Sequence, residues 1–73
     1  MEQHTDIHEN PNLSPQQIEV LKNLLQGLSN KEIALNMGLA EVTVRLHLKG
    51  IFKKLGAKNR VHAIARALAL GLP

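Results

Sequence analysis

The sequence predicts an all-α domain, a four-helix bundle with a central helix-turn-helix. Ser14 and Ser29 each stand three residues ahead of a Gln or Glu, the signature of a capping box at a helix start. Gly27, Gly38 and Gly56 fall where apolar stripes run out, the position favoured for a helix-ending glycine. Between those marks apolar residues recur every three or four positions, the period of a helix with one buried face.

The first helix is predicted over 15–27. Ser14 caps it, Pro15 suits its first position and Gln17 completes the capping box. Ile18, Leu21, Leu25 and Leu28 are its expected inner stripe, widened by Leu24, with Leu13 stapling onto Ile18. The second helix, over 30–37, starts on the Ser29 cap with Glu32 as its partner. Ile33, Ala34 and Met37 face inward, and Gly38 stops it after two turns.

The third helix carries a competing pattern. In "EVTVRLHLKG", Val42, Val44, Leu46 and Leu48 alternate with polar residues, the period of a half-buried strand. Extending the pattern past Gly50 decides the matter. Val44, Leu48, Ile51 and Leu55 fall at i, i+4, i+7 and i+11, and a lone strand would have nothing to pair with. A helix over 41–55 follows, with Val42, Arg45, Leu46, Lys49 and Lys53 outward. Gly50 in its interior is a weakness of about 1 kcal/mol against Ala. The fourth helix, over 59–70 and capped by Asn59, is apolar nearly all round. Val61, Ile64, Ala65 and Leu68 are its expected core stripe. Ala63, Ala67 and Leu70, with Arg66 beside them, form a second stripe, which self-association would cover.

Composition narrows the function. Seventy-three residues suffice for one small domain, and with Phe52 the one aromatic residue the core is aliphatic. Without cysteine there are no disulfides, thiolate metal sites or thiol nucleophiles. No apolar run approaches the roughly 20 residues of a membrane span, and the polar start is no signal peptide, so a cytoplasmic domain is expected. Residues 1–12 read as a flexible acidic tail, disordered over 1–11, ahead of a domain at 13–73. His4 and His8 at i, i+4 are two ligands without a third and make a poor metal site. Residues 1–11 carry −3 and residues 12–73 carry +6, with no acidic side chain after Glu41. An unbalanced basic half points to a polyanionic partner, the alternative being a solubilising face. No acid or nucleophile accompanies His47 or His62, so neither catalysis nor a cofactor is expected.

Two helices joined by a short turn at a large angle make a helix-turn-helix. Ala34 is small enough for close approach, Gly38 permits the turn, and Leu39 with Val44 can plug the angle. The segments "LSPQQIEVL", "GLSNKEIA", "TVRLHLKGIFKKLG" and "KNRVHAI", in that order and spacing, resemble the DNA-binding domain of the LuxR family. The same domain forms the output module of NarL/FixJ-type response regulators. The resemblance covers residues 13–72 and implies a four-helix domain that binds double-stranded DNA as a dimer through its last helix. It implies a groove-reading helix beginning near Thr43, with Thr43 on phosphate and Val42, Arg45, Leu46, Lys49 and Lys53 toward the groove. Asn30 and Lys31 would touch the backbone, as would Lys58, Asn59 and Arg60. His47 would serve packing and hydrogen bonding. Ala63, Arg66, Ala67 and Leu70 would form the dimer interface. Ala40 departs from the family's usual polar cap, which with Gly50 implies a recognition helix that DNA orders.

The alternation at 42–48 then has a cause: one helix serves two surfaces. Val44 and Leu48 belong to the core, while Val42 and Leu46 can meet thymine methyl groups. The expected function is sequence-specific DNA binding as a transcriptional regulator. A second reading is a stand-alone module that pairs with full-length LuxR-type regulators and modulates them. RNA polymerase is a further candidate partner.

Overall fold

The structure is a computed structural model, and it describes residues 11–72. His4, His8 and nearly all of the predicted acidic tail lie outside the described residues. Four helices follow one another: α1 Pro15–Leu25, α2 Asn30–Met37, α3 Glu41–Leu55 and α4 Arg60–Ala69. There is no strand among the described residues.

The capping chemistry read from the sequence is in place. The Ser14 Oγ accepts from the Gln17 amide at 3.1 Å while Gln17 Oε1 accepts from the Ser14 amide at 2.9 Å. Ser29 and Glu32 make the same reciprocal pair at 3.1 and 2.7 Å. Asn59 Oδ1 accepts from the His62 amide at 2.9 Å. That bond makes Asn59 the cap and Arg60 the first residue of α4, one position later than predicted. α1 ends two residues early, at Leu25, with Gln26 as its C-cap. Gly38 and Gly56 close α2 and α3 in the left-handed conformation, at φ 67° and 66°, where a side chain would be strained. Ala40 caps α3 with no side-chain hydrogen bond.

α3 is the central element and packs against each of the other three. Its predicted inner stripe, Val44, Leu48, Ile51 and Leu55, is buried. Opposite it lie Ile33 and Ala34 of α2, and Val20, Leu21 and Leu24 of α1. The inner face of α1 is therefore turned by about one residue from the expected one. Val20 is buried, whereas Ile18, Leu25 and Leu28 are only half-buried. The buried positions 17, 20, 21 and 24 form a helical stripe whose first member is Gln17, so a count of apolar residues alone selects the neighbouring stripe.

Gln17 also bears on Gly50. A Cβ on Gly50 would come within 2.8 Å of Gln17 Nε2. Gln17 Oε1 is held in turn by the Ser14 amide and by Lys54 Nζ at 2.9 Å. Lys54 Nζ also donates to the Asn12 carbonyl at 2.9 Å. What reads in the sequence as a soft spot in α3 is a place where a side chain of α1 lies against its backbone.

Candidate nucleic-acid interface

Burying Val44, Leu48, Ile51 and Leu55 fixes the rotation of α3, and the rotation fixes what it shows to solvent. Arg45, Lys49 and Lys53 are exposed on its far side, together with Val42 at 54% and Leu46 at 64% exposure. Thr43 and His47 sit half-buried at the edges of that face. Arg45 forms an i, i+4 ion pair with Glu41 at 3.6 Å, and both side chains are about half exposed. Such a pair contributes roughly 0.3–0.5 kcal/mol, too little to hold Arg45 against a stronger anion. Beside this face is a shallow, mostly apolar cleft of about 260 Å³, lined by Asn30, Arg45, Leu48, Lys49, Phe52 and Arg60.

The flanking residues divide into two groups. Lys31 and Lys58 are exposed, and neither side chain has a hydrogen-bond partner among the described residues. Asn30, Asn59 and Arg60, expected at the DNA backbone, already have roles within the domain. Asn59 is the α4 cap. Arg60 donates from Nη1 to Asn30 Oδ1 at 2.8 Å and from Nη2 to the Leu28 carbonyl at 2.7 Å.

The expectation for α4 fails at Ala63 and Ala67, expected outside, and at Val61, Ala65 and Leu68, expected inside. Ala63 and Ala67 are fully buried, while Val61 at 77% and Leu68 at 65% are exposed. Ile64 and Leu70 are half-buried and pack at the margin of the core. The physical reason is distance: alanine lets two helix axes approach, and α4 turns two of its four alanines, Ala63 and Ala67, to the core. Ala63 and Ala67 thus cannot be interface residues on the folded domain. Arg66 points back into the domain, its Nε donating to the Leu55 carbonyl at 3.0 Å. It thereby satisfies one of the carbonyls left open at the end of α3 and puts a positive charge at the negative pole of that helix.

Several contacts had no clear sequence signal. Asn36 Nδ2 donates to Asn23 Oδ1 at 2.6 Å, and Asn23 Nδ2 to the Glu19 carbonyl at 2.8 Å, which ties α2 to α1. The Lys54–Gln17 link ties α3 to α1. Among the described residues no three His, Asp or Glu side chains gather as a metal site requires. No described helix is long and apolar enough to cross a membrane.

Residues 11–67 match the family model of bacterial regulatory proteins, luxR family. This chain belongs to the luxR family. The probable HTH-type transcriptional regulator GfsR of Streptomyces halstedii is 50% identical over 56 residues, which is 77% of this chain and 23% of that protein. The nitrate/nitrite response regulator protein NarL of Escherichia coli K12 is 43% identical over 51 residues, 70% of this chain and 24% of the relative. The fold matches the crystal structure of the response regulator ChrA of a heme-sensing two-component system. That match has a TM-score of 0.81 and 45% identity, covering 85% of this chain and 31% of the other. The chain thus spans about a quarter of the length of the two curated relatives. The luxR-family helix-turn-helix is a non-enzymatic, sequence-specific DNA-binding module of transcription regulation, and α2 and α3 are that motif here.

Proposed function

We propose that the domain reads a specific operator with α3 in the major groove and binds it as a homodimer. One observation carries the reading: α3 is locked by its apolar stripe and presents Val42, Arg45, Leu46 and Lys49 together on the opposite face. A B-form major groove admits one helix, and a helix so inserted meets bases with its outward side chains. Arg45 and Lys49 have the chemistry to donate to guanine, and Val42 and Leu46 to contact thymine methyl groups. Thr43, Lys31, Lys53 and Lys58 flank that face and would meet phosphates, which hold the register without reading sequence.

The dimer surface in this proposal is the exposed side of α4, with Val61, Ala65 and Leu68 at i, i+4 and i+7 and half-buried Leu70 at its margin. The same exposed stripe supports the second reading, in which the domain pairs with a full-length regulator of its own family. RNA polymerase would be a partner of the DNA-bound form, and a DNA target implies action in the cytoplasm. Selection of bound duplexes from random DNA, at a stated salt concentration, tests the first reading. A symmetric enriched site is expected. Recovery of unenriched DNA would overturn it.

A further inference from the structure

Arg60 is the first residue of α4, yet its guanidinium lies across the domain at the start of α2. Its two acceptors, the Leu28 carbonyl and Asn30 Oδ1, flank Ser29, the cap of α2. The planar fork of arginine can reach two such acceptors at once from its two terminal nitrogens, and a lysine ammonium cannot reproduce that geometry. The same half-buried guanidinium lines the cleft against Arg45, Leu48, Lys49 and Phe52 of α3. One side chain therefore sits where α2, α3 and α4 meet, in the same cleft as Arg45 and Lys49 of the α3 outer face. Among the described residues, these two are the side-chain hydrogen bonds that join α4 to the α1–α2 half.

We propose that Arg60 is a positioning residue for sequence reading rather than a phosphate contact. It holds the starts of α2 and α4 against the flank of α3, so that Arg45 and Lys49 leave the helix at a fixed angle. The proposal rests on the reading of α3 as the groove helix. It makes a separable prediction. A phosphate contact strengthens binding to all sequences alike and adds to the salt dependence. A residue that aims the reading side chains matters where those side chains find their bases.

The experiment titrates the full chain and its variants against a selected duplex and a scrambled duplex at several salt concentrations. Circular dichroism sets a temperature at which each variant is folded. Arg60→Lys keeps the charge and loses the fork. It is expected to bind the selected duplex about tenfold more weakly, the scrambled one within about twofold of wild type, with an unchanged salt slope. Asn30→Ala removes one acceptor and no charge, and should act in the same direction. Combined with Arg60→Lys it should add little, because the two remove one interaction. If Arg60→Lys fails to fold, Asn30→Ala carries the test alone. Equal losses on both duplexes would reduce Arg60 to a scaffold residue and overturn the proposal. So would full retention of selectivity in Arg60→Lys with a salt slope lowered by about one in Arg60→Gln, the mark of a phosphate contact. A wild-type chain without preference for any duplex would instead remove the reading of α3 itself, and that control is read before any variant.

Discussion

α3 and α4 are both helices with apolar residues on two faces, but they bury one of those faces by different means. In α3 the buried side carries large residues, Val44, Leu48, Ile51 and Leu55, while the exposed apolar pair is diluted by Arg45, Lys49 and Lys53. Size, hydrophobicity and charge all agree on which face is inner. In α4 the faces differ little in polarity, and the smaller side chains, Ala63 and Ala67, are inside while Val61 and Leu68 are outside. Burial by close approach and burial by bulk are different solutions, and a hydropathy pattern recognises the second. The lesson is local: where two stripes are equally apolar, the space left by the partner helix chooses between them.

The largest expected effect tests that inversion. Ala63→Glu puts a charge where the chain is fully buried. An uncompensated buried charge costs about 3–5 kcal/mol, comparable with the whole stability of a domain this size. Thermal unfolding followed by circular dichroism should show little folded protein at 25 °C. Melting like wild type would restore Ala63 to the surface and break the comparison.

The next effect belongs to the outer face of α3. Arg45→Ala should cost about 1–3 kcal/mol on the selected duplex and flatten the preference at one base position. Lys58→Ala should weaken binding to all duplexes alike and lower the salt slope by about one. Competition titrations with specific and scrambled DNA separate the two outcomes. Equal loss on both duplexes for Arg45→Ala would make it a phosphate clamp, and reading would fall to Leu46 and Lys49.

Ala40→Ser supplies the missing cap of α3 and should stabilise the domain by about 1 kcal/mol, read from urea midpoints. An unchanged midpoint would mean that the first turn of α3 frays whether or not it is capped. The smallest stability effect is expected from Val61→Glu and Leu68→Glu, whose side chains are largely exposed. Each should change stability by less than about 0.5 kcal/mol. On the selected duplex, sedimentation velocity should show one copy bound where wild type shows two. Two copies at unchanged affinity would move the dimer surface away from α4.

Much of the fold was legible because its signals are local. A capping box needs four consecutive residues, a left-handed glycine one, and the α3 stripe twelve, all within one segment of chain. The placement of the candidate interface residues was legible in part for the same reason. Arg45, Leu46 and Lys49 follow from the rotation of a single helix. Arg60 and Asn30 do not: as a basic residue and a polar one near a basic face they look like backbone contacts, and their hydrogen bond spans thirty positions of sequence.

By itself, then, the sequence determined where the helices begin and end to within two residues, that α3 is two-faced, and that its outer face is basic. It determined these because backbone capping and helical periodicity are satisfied by near neighbours. Only the tertiary structure decided which face of α4 is inside, that the Gln17 side chain lies over Gly50 of α3, and that Arg60 turns inward. Each of these depends on the distance to an atom of another helix: the core against Ala63 and Ala67, Gln17 Nε2 against Gly50, and Asn30 Oδ1 against the guanidinium. No single segment of chain records what lies across from it.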